Sequence, residues 1–274
     1  MAVILPHRRV FRIFVGMAGG EPEIQSCKCF MDRASRLRVQ SHLRPNPPGI
    51  SPPSSKEIFR MKLTLTYSPV ACSLVPYILL TEAGAEFDLL PVNLAKDEQK
   101  SAEHLRLNPK GKVPTLIIDG TPLTENVAIQ IWIAGRFPHA QLLPEDPLEL
   151  ARAVSLMAWC AAGIHPKLTQ QQRPERYCDL PDSADSVRAL GSHSLFELFD
   201  IAEGMLAGRE WFLDRFGCAD VYFYWCFRRG SLFKPDVSGF RNCMAHMKRM
   251  EQRPSVQKLL AYEMQVQAAF AKAA

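Results

Sequence analysis

The stretch YSPVACSLVP places one thiol, Cys72, between a run typical of a β-strand and the predicted start of a helix. A cysteine at a helix start faces unpaired backbone N–H groups and the positive end of the helix dipole, which predicts a lowered thiol pKa. Ser73, Leu74 and Val75 follow, so no C-x-x-C pair is formed. Two interpretations stay open on this stretch alone: a reactive single thiol, or a small hydrophobic residue packed in the core.

Two further sites downstream carry groups that could bind or react. Glu125 and Asn126 stand at a predicted helix start, where free N–H groups favour an anion. Simple capping by Thr124, with Glu125 in the first turn, is compatible with that interpretation. His165 follows WCAAGI on a long predicted helix and could stabilise a thiolate or donate a proton. The alternative for His165 is a surface residue or a hydrogen-bonded core residue.

The eight cysteines form neither a disulfide framework nor a zinc site by their spacing. No C-x-x-C occurs, and those after residue 60 are scattered through predicted helices. We therefore expect no metal and a reducing compartment, which indicates a cytoplasmic protein. The cysteines other than Cys72 in this part are interpreted as packing residues; they are Cys160, Cys178, Cys218, Cys226 and Cys243.

The net charge of +5 is concentrated at the start of the chain. Residues 1–60 hold ten Lys and Arg against four Asp and Glu, so the remainder is close to neutral. A near-neutral body without a basic stripe argues against nucleic acid as a partner. Uninterrupted apolar runs are shorter than the roughly 18 residues that cross a bilayer, so we expect no transmembrane helix.

Residues 1–60 are expected to be a disordered leader, because they lack sustained periodicity and end in RPNPPGISPPSSKEIFR. A secretion signal and a transit peptide are weaker alternatives, since Arg12 interrupts the apolar region and acidic residues are present. The preferred hypothesis is that translation starts at Met61, directly before the predicted strand KLTLTY. Lys56-Glu57 can be encoded by AAGGAG, a ribosome-binding sequence, which the nucleotide sequence would test.

From residue 62 to 135 strand and helix patterns alternate. KLTLTY predicts a strand, CSLVPYILLTEAG a helix stopped by Gly84, and EFDLLPVNL a second strand. PTLII and TPLT then flank Asp119-Gly120, a strong hairpin signal, and a helix is predicted from about Glu125. The order is βαβ followed by ββα.

From about residue 146 the pattern is helical throughout. The long helix around DPLELARAVSLMAWCAAGIHPKL is followed by one that Asp182 is predicted to cap, and by another from Ser238. Pro254 opens a last, short predicted helix, PSVQKLLAYE. We expect domains at 61–138 and 146–264.

Five ordered motifs carry a resemblance to a known family: YSPVACSL, NPKGKVPTL, LTENVAI, FLDRFGCADVYFYW and MKRMEQRPSVQKLL. The chain resembles the cytosolic glutathione transferases, most closely the bacterial Beta-like class, from Met61 to about Glu263. The resemblance implies an α/β thioredoxin-like N-terminal domain (βαβ-ββα) followed by an all-α C-terminal domain. It also favours the reactive thiol at Cys72.

The resemblance further implies a glutathione site. Val113-Pro114 would be a cis bond that turns the backbone of Val113 toward the cysteinyl part of glutathione, the alternative being a trans proline at an edge strand. Glu125 would bind the γ-glutamyl ammonium and Asn126 its carboxylate, although family members usually carry Ser or Gly at the second position. Lys96 aligns with a lysine that meets the glycyl carboxylate, and a solvated surface lysine is the alternative.

The histidine near the bound thiol in Beta-like proteins corresponds to His165. Near His165 the sequence departs from the pattern of the family, because Ala158 and Ala162 replace polar residues and Pro166 replaces a lysine. In GCADVYFYW, Asp220 would accept a hydrogen bond from the Gly217 amide as half of a capping box.

The expected function is glutathione conjugation to small hydrophobic electrophiles, thiol-disulfide or peroxide chemistry through Cys72, or both. Glutathione would be the co-substrate, and a homodimer is expected from the family. The second-substrate pocket should be lined by residues 159–165 and 222–233. The alternative is a non-catalytic binding or regulatory protein of the same fold.

Overall fold

The structure is a computed structural model, and it describes residues 61–233 and 236–272. The two predictions on residues 1–60, a disordered leader and a translation start at Met61, lie outside the described residues. The residues from 61 onward fall within one compact unit, Glu57–Ala274.

Four strands form one mixed sheet in the order β2-β1-β3-β4. The strands are β1 (Leu63–Tyr67), β2 (Asp88–Pro91), β3 (Thr115–Ile118) and β4 (Thr121–Thr124). β1 and β2 are parallel, which requires a crossover helix between them, whereas β3 is antiparallel to both β1 and β4. Asp119 and Gly120 join β3 to β4 with φ angles of 47° and 85°, as the hairpin signal predicts.

Nine α-helices lie in the described residues: α1 (Leu74–Glu82), α2 (Ala102–Leu107), α3 (Asn126–Arg136), α4 (Pro147–Trp159), α5 (His165–Gln172), α6 (Ala184–Met205), α7 (Cys218–Ser231), α8 (Arg241–Glu251) and α9 (Pro254–Lys272). The first three alternate with the strands, and α4 to α9 follow without any strand. The predicted fold class, a thioredoxin-like domain followed by an all-α region, is confirmed.

Several predicted helix boundaries are wrong. Cys72 lies in a turn ahead of α1, whose N-cap is Ser73. Asp182 has a φ of 60° and does not cap α6, whose N-cap is Ser183. Nothing in the sequence stops the last helix at residue 263, because neither Gly nor Pro follows, and α9 continues to Lys272.

Helices α4 and α5 are joined by a π-helical segment, Cys160–Ile164, into one run. This run, Pro147–Gln172, is long and apolar enough to cross a membrane by length and composition alone, because one 18-residue window within it has a mean hydropathy of 1.2. A helix in the core of a globular protein meets the same criterion, so this run does not contradict the expectation of no transmembrane helix. In the structure the run packs against α6 and α7.

Helix α1 joins the sheet to the helical region. It packs against α3 on one side and against α7 and α9 on the other, and residues 74–80 are all buried. Arg253, just before α9, forms two hydrogen bonds of 2.8 Å with the Glu82 carboxylate at the end of α1. Helix α1, which directly follows the turn that carries Cys72, is therefore held from both parts of the molecule.

The predicted hydrogen bond from the Gly217 amide to Asp220 is confirmed at 2.9 Å. Asp220 also accepts from the Phe212 amide at 3.0 Å. A Cβ at position 217 would lie 2.8 Å from the carbonyl oxygen of Leu142. This contact explains why glycine replaces the usual Ser or Thr there.

Candidate functional site

A cavity of about 1090 Å³ opens between the loop before α1 and the helices α5, α7 and α9. All the residues predicted as site residues line it: Cys72, Lys96, Val113, Pro114, Glu125, Asn126 and His165. The structure therefore brings together groups that are up to 93 positions apart in the sequence.

Cys72 is buried, and its Sγ donates a hydrogen bond of 3.4 Å to the carbonyl oxygen of Val113. Burial raises the pKa of the thiol to about 12, more than its hydrogen bonds and the nearby Lys112 lower it. The predicted lowering of the Cys72 pKa is therefore wrong for the free protein. Cys72 lies in the turn before α1, and the increase in its pKa caused by burial outweighs the decrease expected from the dipole at the helix start.

The Val113-Pro114 bond is cis, as predicted. The preceding loop is held through the carbonyl oxygen of Lys112, which accepts from Asn108 Nδ2 at 2.8 Å and lies 3.0 Å from His104 Nε2. These contacts, together with Gly111 at a φ of +60°, fix the direction in which Val113 presents its backbone.

Glu125 and Asn126 have different environments at the start of α3. Glu125 has a φ of 72° and an exposed carboxylate that pairs with Lys110. Asn126 is buried, and its Nδ2 donates a hydrogen bond of 2.8 Å to the carbonyl oxygen of Cys72. The Asn126 side chain thus supports the thiol loop, a contact that the sequence did not predict.

Lys96 ends a short 3₁₀ turn, Leu94–Lys96, on the cavity wall. The side chain of Asn93 caps this turn by accepting from the amides of Ala95 and Lys96, at 3.0 and 3.3 Å.

His165 begins α5 and faces the cavity from the helical region. Its Nδ1 lies 3.4 Å from the Tyr222 hydroxyl, and its ring contacts the Trp225 ring edge-on with centroids 4.4 Å apart. Burial, with the positive charges of Lys112 and Arg229, lowers the His165 pKa to about 4. His165 is therefore a neutral imidazole near pH 7, and its predicted role in stabilising a thiolate or donating a proton stays a prediction.

Both backbone polar groups of Val70, two residues before Cys72, are bound by the helical region. Glu263 on α9 accepts from the Val70 amide at 2.7 Å, and Trp225 Nε1 on α7 donates to its carbonyl oxygen at 3.1 Å. Arg228 balances the Glu263 charge at 2.6 Å. We call these contacts the Val70 clamp. They hold Val70 at a φ of 61°, which is unusual for a β-branched residue.

Sequence reasoning missed Lys112 and Glu263 as parts of this site, whereas Tyr222, within the predicted pocket segment 222–233, does line the cavity. Lys112 directly precedes Val113 in NPKGKVPTL, so its position was a usable signal. Glu263 lies 193 residues from its partner Val70, and no local pattern indicates that contact. Among the described residues, no group of three or more His, Cys, Asp or Glu could hold a metal ion.

Residues 61–135 match the family "Glutathione S-transferase, N-terminal domain". The chain is 34% identical over 206 residues to glutathione S-transferase GstA of Escherichia coli O157:H7, covering 73% of this chain and 98% of that protein. It is also 34% identical over 166 residues to maleylacetoacetate isomerase of Pseudomonas aeruginosa, covering 59% and 77% respectively.

Among solved structures, a glutathione transferase homologue from Sulfitobacter with bound glutathione superposes with a TM-score of 0.71. The two sequences are 27% identical, and the match covers 74% of this chain and 99% of that one. The thioredoxin-like sheet, the helical region and these similarities define one class of protein, the glutathione-dependent transferases. The chain belongs to the glutathione S-transferase family, and the prediction that it is a glutathione transferase enzyme is confirmed.

Proposed function

We propose that this enzyme binds glutathione in the cavity and activates its thiol for attack on a small electrophile. The observation that carries this proposal is the 3.4 Å contact between Cys72 Sγ and the carbonyl oxygen of Val113 beside the cis proline. Val113 would pair its backbone with the cysteinyl part of glutathione, which places the glutathione sulfur beside Cys72. The motif set supports the Beta-like class.

The remaining groups would hold the ends of glutathione. Glu125, with its exposed carboxylate, would bind the γ-glutamyl ammonium, and the free amides at the start of α3 would bind the γ-glutamyl carboxylate. The Asn126 side chain would act through its bond to Cys72 and position the loop. Lys96 would bind the glycyl carboxylate.

The raised pKa of Cys72 favours one of the two proposed chemistries. A thiol with a pKa of about 12 stays protonated near pH 7 and can donate a hydrogen bond to a glutathione thiolate. In that route, glutathione conjugates to the electrophile while Cys72 remains unmodified. Neutral His165 would donate a hydrogen bond to the glutathione thiolate; because its pKa is about 4, the proton that glutathione loses would pass to solvent instead.

The second chemistry is thiol transfer through Cys72. Cys72 loses its proton and attacks one sulfur of glutathione disulfide; the S–S bond breaks, a mixed disulfide forms, and the released glutathione thiolate takes up a proton. A further glutathione would restore Cys72, because no second cysteine follows it. We further propose a soluble, cytoplasmic homodimer.

The test measures glutathione binding and Cys72 chemistry separately. Calorimetry should show glutathione binding to the wild type, and absence of binding would contradict the proposal. Cys72→Ser keeps a hydrogen-bond donor and should retain most conjugation, whereas Cys72→Ala should lose about tenfold in kcat/KM. After treatment of the Cys178→Ser background with glutathione disulfide, peptide mass spectrometry should show one glutathionyl group at Cys72, and none at position 72 once Cys72→Ser or Cys72→Ala is added. Equal conjugation by all variants, with no adduct at Cys72, would remove Cys72 from the chemistry.

A further inference from the structure

The cavity is lined by more cations than glutathione requires. Its described lining holds five cationic side chains and one carboxylate: Lys96, Lys112, Arg173, Arg176, Arg229 and Glu125. The carboxylate, on Glu125, is itself paired with Lys110. A cavity with this balance of charges has a positive potential, which attracts anions.

Glutathione carries two carboxylates and one ammonium, and the proposed function assigns all three. Lys96 and the start of α3 take the carboxylates, and Glu125 takes the ammonium. Lys112, Arg173, Arg176 and Arg229 are left over. Arg173 contacts the Glu175 carboxylate at 4.0 Å. Lys112 and Arg229 act on the His165 imidazole, whose pKa their positive charges lower, so at least these two surplus charges lie beside the reacting end of the site.

Arg229 shares one face of α7 with Tyr222 and Trp225, because the three positions are separated by three and four residues. This face lines the cavity. The spacing places the guanidinium next to the aromatic groups against which a second substrate would lie.

The guanidinium of Arg229 has an aromatic neighbour, and no carboxylate among residues 61–233 and 236–272 lies within ion-pair distance of it. It lies 5.1 Å from the centroid of the Phe233 ring, while the adjacent Arg228 is paired with Glu263. Burial and the charge of Arg228 lower the Arg229 pKa, and the charge of Glu263 offsets this only in part. A partly buried cation without an anion is unfavourable, and a bound anion would relieve this cost.

We propose that the second substrate of this enzyme is an anionic electrophile whose carboxylate binds Arg229 while its apolar part packs against Trp225. The inference rests on the proposed transferase function and names its substrate class. The expectation of a purely hydrophobic electrophile, based on family resemblance, does not account for the surplus cations.

A matched pair of aryl chlorides tests the charge directly: 4-chloro-3,5-dinitrobenzoate and its methyl ester. In both, the glutathione sulfur bonds to the ring carbon, the C–Cl bond breaks, chloride leaves, and the thiol proton is released. We expect the wild type to show a higher kcat/KM for the acid than for the ester, after division by the uncatalysed rates. Arg229→Gln should lower that acid-to-ester ratio about tenfold, the usual scale for a charge-assisted hydrogen bond.

Two further variants separate charge from folding. Arg229→Lys should restore part of the ratio, and Arg188→Gln, an exposed arginine on α6, should leave it at the wild-type value. Raising the ionic strength should reduce the ratio in the wild type more than in Arg229→Gln. An unchanged ratio in Arg229→Gln, or a wild type that prefers the ester, would overturn the inference while the transferase function stands.

A binding measurement tests the inference even if neither of the two aryl chlorides reacts with glutathione on the enzyme. Calorimetry with 3,5-dinitrobenzoate and its methyl ester, in the presence of glutathione, should show tighter binding of the acid, and this preference should depend on Arg229. Equal or weaker binding of the acid overturns the inference. If glutathione itself does not bind, the proposed function fails, and this inference fails with it.

Discussion

The side-chain amide of Asn126 donates a hydrogen bond of 2.8 Å to the carbonyl oxygen of Cys72, and both residues are buried. The two positions lie 54 residues apart, at the starts of α3 and α1. One hydrogen bond therefore couples the helix that would bind the γ-glutamyl group to the turn that carries the thiol.

Asn126→Ala should destabilise the enzyme and weaken glutathione binding together. The substitution leaves the buried Cys72 carbonyl without its donor, which costs about 1–2 kcal/mol of unfolding free energy. Urea unfolding and calorimetric titration with glutathione measure the two effects. Gln257→Ala, an exposed amide on α9, is the control and should change neither. Wild-type stability in Asn126→Ala would contradict a structural role for this bond.

Glu263→Gln should reduce the unfolding free energy by about 3 kcal/mol, the usual effect of removing one partner of a buried ion pair. Gln keeps an acceptor for the Val70 amide. The lost free energy of unfolding therefore measures the cost of leaving the Arg228 charge without Glu263, and the Arg228 side chain is only 16% exposed. Urea unfolding measures the change, and Glu197→Gln on the exposed face of α6 is the control.

Replacing both partners, as Arg228→Met with Glu263→Leu, should recover part of that stability because no charge remains buried. Glutathione binding should stay weak in the double variant, since Val70 has lost its acceptor. A double variant with wild-type glutathione affinity would show that the Val70 clamp does not position the thiol loop.

Iodoacetamide should modify Cys178 before Cys72 in the free enzyme. A hydrogen bond from Ser183 lowers the Cys178 pKa, whereas burial raises that of Cys72 to about 12. At pH 7.5 the two rates should differ by more than about tenfold, measured by peptide mass spectrometry. The Cys72 rate should keep rising to pH 10, and a plateau below pH 8 would show that its thiolate is stabilised after all.

His165→Asn should flatten the loss of stability on acidification. The folded-state pKa of His165 is lowered from 6.5 to about 4, so the unfolded chain binds this proton first as the pH falls. Stability contributed by the neutral imidazole is complete above pH 6.5 and declines as the pH falls from 6.5 toward 4. At pH 5 the decline should amount to about 1–2 kcal/mol.

Urea unfolding of the wild type and His165→Asn at pH 7.5, 6 and 5 isolates this contribution, because the carboxylates are common to both proteins. His193→Asn, an exposed histidine on α6, should follow the wild-type curve. Parallel curves for wild type and His165→Asn would mean that His165 titrates near its ordinary pKa.

The features that the sequence predicted correctly depend on local signals. The hairpin at Asp119-Gly120 follows from two residues that tolerate positive φ, and the helix stop at Gly84 coincides with a φ of 62°. The cis bond at Val113-Pro114 followed from a motif rather than from physics, because an X-Pro pair alone permits both isomers.

The features that were missed depend on packing between distant segments. A helix-start cysteine suggests a lowered pKa, but only the fold shows that Cys72 is removed from water. The same holds for His165: its position on a long predicted helix does not tell whether the side chain is buried or exposed, and only the fold shows that burial lowers its pKa. The extra turns of α9 are a different case, because 264–272 carries no Gly or Pro that would stop the helix, so the local sequence already permitted them.

The Val70 clamp has a consequence for how this enzyme could be recombined with its relatives. The turn that carries Cys72 belongs to the thioredoxin-like part by sequence, yet both polar groups of Val70 are bound by residues from the helical part, Trp225 and Glu263. A chimera that exchanges the helical part would therefore reshape the thiol loop unless those two residues and Arg228 are carried with it. The residues that shape the thiol loop therefore come from both parts of the chain and would have to be exchanged together.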